Sequence, residues 1–226
     1  MTAGAGSGIG GASPAGGGLA TGRIEALCDG VFAIVFTLLI LDLHVPEVAD
    51  AAARAELPAR LAELWPKALS YMVTFVVLGV YWTGHQVQYL WIKRSDRIFL
   101  WINILFLMCV AFVPFSAALL GRYWQQQIAV VIYGLNLIVV GLVVELHWWY
   151  ATRDHRLVDQ AIDPQVVRMA TRRILTSPAI YLAAIALSRV DTRLSLALYC
   201  AGPLVNIIPG RIDRHFTLGR GERHHS

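Results

Sequence analysis

Arg23, Asp29, Trp82, His85 and Asn103 are the residues with which this sequence could do chemistry, and all lie within or beside long apolar runs. A charge at the centre of a bilayer costs about 2.5–3.5 kcal/mol on insertion scales, so such groups turn toward protein or water. Arg23 and Asp29 belong to TGRIEALCDGVFAIVFTLLILDLHVPE. Trp82 and His85 stand three apart in YMVTFVVLGVYWTGHQVQYL, hence at neighbouring positions of one helical face, and Asn103 sits in FLWINILFLMCVAFVPF. Together they carry enough donors and acceptors to satisfy one another. The plainer role is a packing network locking the first three apolar helices; the alternative is a proton relay or substrate site through Asp29 and His85.

A second pattern shares the first stretch. Ile34, Thr37, Leu38 and Leu41 fall at i, i+3, i+4 and i+7, one stripe on a helix turning ~100° per residue. Asp29, five residues before Ile34, lies roughly 140° away, so carboxylate and stripe face different ways. The longest uncharged piece, residues 30–41, has 12 residues, roughly 18 Å of helix against a hydrocarbon core of about 30 Å. A helix so ill suited to lipid belongs inside an assembly. One helix cannot enclose a pathway, which predicts a homo-oligomer with residues 31–41 on its axis. Asp42, four residues after Leu38, reaches the outward end near the same stripe. A carboxylate ring there would concentrate cations, or the group is a solvated helix-end charge.

The elements that must hold these residues are helices in a membrane. The chain has 226 residues, 57% hydrophobic and 15% charged, with a net charge of +4. Gaps between charges give six spans: residues 30–41, 68–92, 98–121, 123–144, 174–188 and 194–210, the last two interrupted by Pro178 and Pro203. The reading is an all-α integral membrane protein with a six-helix domain over residues 23–210. Residues 1–22 are Gly/Ala-rich and expected to be disordered, without the basic start of a secretory signal, and residues 211–226 form a polar tail. The terminal and loop segments on one side hold 13 of the 19 Lys and Arg residues, which predicts both termini in the cytoplasm of a cell-membrane protein. This asymmetry accounts for the basic charge without nucleic acid. Cys28, Cys109 and Cys200 lie in three different spans without metal-ligand spacing and read as buried free thiols. Ser188 and Ser195 have no evident base partner, and HExxH, GxSxG, Walker and TVGYG patterns are absent. Neither a cofactor nor a catalytic centre is expected.

These residues also resemble a known family. RIEALCDGVFAIVFTLLILDLHVP is similar to the signature helix of the transmembrane protein 175 family, whose pattern is Arg, three residues, then Phe-Ser-Asp. Arg23 and Asp29 match, while Leu27 and Cys28 replace the Phe and Ser. YMVTFVVLGVYWTGHQVQYL and LFLMCVAFVPFSAALLGRY resemble that family's second and third spans. The resemblance implies a prokaryotic, tetrameric, potassium-permeable leak channel without a carbonyl filter. It places Ile34 at the constriction, Leu38 and Leu41 as further pore-lining positions, and Thr37 in a hydroxyl layer. Cys28 takes the serine's place in the stabilising network, where a thiol is the weaker hydrogen-bond partner. An isoleucine ring offers no oxygen ligand, so selectivity would come from dehydration cost and nearby hydroxyls. Rival readings are a secondary transporter, hinted at by Pro114, Pro178 and Pro203, and an intramembrane enzyme in which Asp29 and His85 face a water-filled cavity and act as acid and base.

Overall fold

The computed structural model describes residues 21–207, and every extended element in that stretch is a helix. The expected disordered N-terminus, up to residue 20, and the polar tail lie outside the described residues. Thr21 and Gly22, assigned to that N-terminus from sequence, are the first residues of α1 (Thr21–Leu38). A 3₁₀ turn over Leu39–Asp42 extends α1, which brings the element to roughly 35 Å at ~1.5 and ~2.0 Å per residue. That length matches a hydrocarbon core of about 30 Å despite the short uncharged middle.

Next come α2 (Asp50–Ala62) and α3 (Trp65–Trp91), bent by 45° relative to one another. Pro66 opens α3, where its missing N–H costs nothing. The Asp96 side chain accepts from Phe99 N at 2.8 Å and so caps α4 (Arg97–Ala111). The third apolar run then breaks at Phe112 and resumes as α5 (Val113–Arg122). Pro114 causes the break, because it cannot donate to the carbonyl four residues back and its ring crowds that position.

The scaffold is α6 (Gln127–Thr152), packed against α4, α5, α7 (Pro164–Leu187) and α8 (Thr192–Ile207). Two glycines allow the close approach. A Cβ on Gly141 would lie 2.6 Å from Pro178 Cγ, and one on Gly134 would strike the Tyr199 hydroxyl. Buried hydroxyls add ties across helices: Tyr81 to Leu137 O at 2.8 Å, Ser195 to Ala184 O at 2.7 Å, Ser70 to Ala117 O at 2.7 Å. On the side of the Lys/Arg-rich loops, Ile92 and Val158 form an antiparallel bridge that closes the α3–α4 connection against the α6–α7 connection.

Among the described residues, Thr21–Asp42, Arg97–Arg122 and Gln127–His155 are each long and apolar enough to cross a membrane, and α2 with α3 meets that measure as a bent pair. The first half of α7 carries Arg168, Arg172 and Arg173, and this dilutes its apolar length. Residues 44–67, read as loop, contain α2, and α7 begins ten residues before the expected span.

Candidate ion pathway and its polar supports

The two faces of α1 are sharply different. Ile24, Cys28, Phe32, Val35 and Leu39 are buried against the rest of the chain. On the other face Ile34, Leu38 and Leu41 are 60%, 43% and 63% exposed, with Leu27 continuing the line toward Arg23. Thr37 is exposed beside them, and its hydroxyl donates to Ile34 O at 2.8 Å. That bond uses the proton, so the oxygen's remaining lone pairs are what Thr37 presents. Leu41 belongs to the 3₁₀ turn rather than to the α-helix, but stays on the uncovered side.

The expected single network is in fact two groups. In the first, Asp29 Oδ1 accepts from Trp82 Nε1 at 2.8 Å and from Gln86 Nε2. Trp82 and Gln86 are four apart and meet the carboxylate together from one face of α3. This group lies at the surface of the single chain. The second group is buried: Asn103 Oδ1 is 3.1 Å from His85 Nε2, while Cys28 Sγ lies 3.4 Å from Asn103 Oδ1 and 3.3 Å from Asn103 Nδ2. A carbonyl oxygen only accepts, so Nε2 carries the imidazole hydrogen, and Nδ1 is a buried acceptor without a hydrogen-bond partner among the described residues. Trp82 and His85 thus turn to different partners despite their spacing. Arg23 joins neither group; it is exposed, and among the described residues no ion pair links it to Asp29. Cys28 and Asn103 exchange hydrogen bonds between thiol and carboxamide. Cys28 alone of the three cysteines is buried; Cys109 and Cys200 are half-buried.

Beyond His85 the buried polar residues continue. Its ring stacks on Phe106, centroids 5.0 Å apart, and lies 5.4 Å from the ring of His147. His147 Nδ1 is 3.0 Å from Gln88 Oε1, and its Nε2 is 3.5 Å from the Tyr89 hydroxyl. Gln86, Gln88 and His147 escaped the sequence reading. The signal for the first two was spacing, since 82, 86 and 85, 88 are helix neighbours; His147 was hidden because Glu145 ends the uncharged run. At the far end of α1, Asp42 is neither a bare carboxylate nor a fully solvated one. Lys67 Nζ stands 3.8 Å from its Oδ1 and donates to its backbone oxygen at 3.4 Å.

Residues 23–114, which carry α1 and these partners, match the family model described as "Endosomal/lysosomal potassium channel TMEM175". The chain is 35% identical over 181 residues to a potassium channel of Streptomyces collinus, covering 78% of this chain and 86% of that one. This chain belongs to the TMEM175 family. A potassium channel of Chamaesiphon minutus is 36% identical over 179 residues, covering 78% of this chain and 88% of the relative. The crystal structure of a TMEM175 homolog from Chamaesiphon minutus, titled a lysosomal potassium-selective channel, superposes with a TM-score of 0.73 at 33% identity. It covers 82% of this chain and 95% of that one. The human relative, named an endosomal/lysosomal proton channel, is 29% identical over 152 residues, 64% of this chain and 30% of its own length. Against the TMEM175 pattern, the replacements at Leu27 and Cys28 fall on opposite faces of α1: Leu27 is exposed in the stripe, Cys28 buried in the His85–Asn103 group.

Proposed function

We propose that this membrane protein is a potassium channel in which the α1 helices of four copies line a central path, with Ile34 at its narrowest point. One observation carries the reading. The chain covers one face of α1 and leaves the stripe of Leu27, Ile34, Leu38 and Leu41 uncovered. The names of the bacterial relatives support potassium as the permeant. Flow is passive, a leak across a short dry constriction. Leu38 and Leu41 extend the apolar wall, and Thr37 supplies an oxygen next to the constriction. Because no carbonyl filter replaces the hydration shell, discrimination rests on the cost of shedding water, which is lower for potassium than for sodium. Lys67 offsets Asp42, so the outer mouth gathers cations less strongly than four unpaired carboxylates would. All of α1, α3, α4 with α5, α6, α7 and α8 cross the cell membrane, with both termini on the cytoplasmic side.

Potassium efflux from proteoliposomes tests this. The expected result is flux that rises with concentration without saturating and needs no co-ion. Efflux no faster than from empty vesicles sinks the channel, and saturating, co-ion-dependent flux makes the protein a secondary transporter instead.

A second reading, proton conduction through Asp29 and His85, is favoured by the proton-channel names of the chicken and human relatives. A pH-sensitive dye in the same vesicles separates the two. Proton entry lost in His85→Ala while potassium flux persists would place protons behind α1, away from the Ile34 path.

A further inference from the structure

On the side of the Lys/Arg-rich loops, α6 runs into a strained turn. Arg156 N donates to Arg153 O at 3.1 Å, and the two residues between them, Asp154 and His155, stand at φ 53° and 51°. Successive side-chain-bearing residues in the left-handed region cost energy, and such strain gathers where a site needs its groups aimed. Here the turn aims arginines. Arg153 lies over the Trp149 ring at 4.9 Å, and Arg156 over the Tyr150 ring at 4.6 Å. From the α3–α4 connection, Arg94 Nη2 donates to His155 O at 3.4 Å. All three arginines are exposed. Stacking on an aromatic face holds a guanidinium in place and leaves N–H groups along its edge for a further acceptor.

The carboxylates of the same loops are turned onto other partners. Asp96 accepts from Phe99 N and from the Tyr150 hydroxyl, Asp159 from Ala161 N, and Asp163 from Gln165 N. Asp154 stands 3.6 Å from Arg153 Nε, but both side chains are more than half exposed, where an ion pair is worth little. The surface around the turn is therefore cationic. Trp149, one turn inside the end of α6, is 47% exposed, and exposed indoles sit at the level of lipid headgroups. We propose that Arg94, Arg153 and Arg156 bind the phosphate of an anionic phospholipid in the leaflet on that side. The site rests on the reading that α6 crosses a membrane, which its length and composition allow, and not on α1 lining a path. Forked guanidiniums match the oxygens of a phosphate, and a lipid delivers that phosphate at the depth of Trp149. Arg94 comes from one connection and the other two arginines from the next. A bound headgroup thus reinforces the junction that the Ile92–Val158 bridge makes.

Protein in an uncharged detergent, titrated with phosphatidylglycerol, tests the site. Its melting temperature should rise, and phosphatidylcholine with the same chains should not raise it. In Arg153→Gln and in Arg156→Gln the midpoint of that titration should move up about five-fold per arginine, with helix content by circular dichroism unchanged. Arg94→Gln also loses the bond to His155 O, so it is read by native mass spectrometry from an equimolar mixture of the two lipids. Wild-type protein should retain phosphatidylglycerol there and the variant should not. Arg168→Gln, at an exposed arginine of α7, is the control and should keep the wild-type midpoint. An equal response to both lipids overturns the site. So does an equal loss in Arg168→Gln, since any basic residue on that side would then serve. Inorganic phosphate that protects as well as the lipid overturns it too, because the occupant would be a soluble anion. Potassium efflux keeps the readings apart: efflux without lipid-specific protection removes the site and leaves the channel, and protection without efflux does the reverse.

Discussion

Ile34 and Asp29 are five residues apart on one helix, and substitutions at them should fail in different ways. If Ile34 forms the proposed constriction, Ile34→Asn places amides on the axis, admits water and lowers the dehydration barrier. Larger currents with weaker preference for potassium over sodium are expected, read from the reversal potential under bi-ionic conditions. Thr37→Ala should reduce selectivity with little gain in current, since it removes an oxygen without widening the constriction. Unchanged current and selectivity in Ile34→Asn would move the constriction elsewhere. Asp29→Ala instead removes the acceptor that Trp82 and Gln86 share at the chain's surface, a loss of about 0.5–1.5 kcal/mol per hydrogen bond. A lower melting temperature should precede any change in ion preference, and Asp29→Asn should restore part of it by returning one acceptor. Wild-type stability with altered selectivity would put Asp29 in the ion path. At this scale the sequence was informative about types and poor about partners. Helical arithmetic separated Asp29 from the stripe, but Arg23 was credited to a network it does not join, because spacing along one helix says nothing about which neighbour a long side chain meets.

At the scale of elements, the tightest constraint is where α6 meets α7. Pro178 sits inside α7 and its ring fills the space that Gly141 leaves vacant. Gly141→Ala should therefore lower stability by about 1–3 kcal/mol, the usual cost of overpacking a filled interior. Thermal unfolding in detergent measures it, and Gly22→Ala, with open space around it, serves as the control. A stabilised Gly141→Ala would mean that helix propensity outweighs the contact. The long apolar runs were legible because the spans Thr21–Asp42, Arg97–Arg122 and Gln127–His155, and α3 beside them, are apolar along most of their length. Other elements were hidden for stated reasons. α2 has alternating charges at Asp50, Arg54, Glu56 and Arg60 and buries none of its residues, so no apolar periodicity announces it. The start of α7 is masked by its arginines, and Pro114 breaks a run that composition reads as continuous.

For the whole molecule, the contrast is between a covered scaffold and an uncovered helix. α6 touches five other helices, whereas α1 is covered along one face alone. That arrangement suits a membrane protein whose working surface is completed by further copies of itself. The glycine contacts of α6 also have a consequence in time. Where a neighbour's side chain seats directly on a glycine, a helix cannot open part-way; its amide hydrogens leave only when the packing around it gives way as a unit. In deuterated buffer the amides near Gly134 and Gly141 should be the last to exchange, those of α2 the first, and those of α1 should slow markedly once copies assemble. Equal rates in α1 for dispersed and assembled protein would mean that its bare face is left to detergent or lipid rather than turned toward its copies.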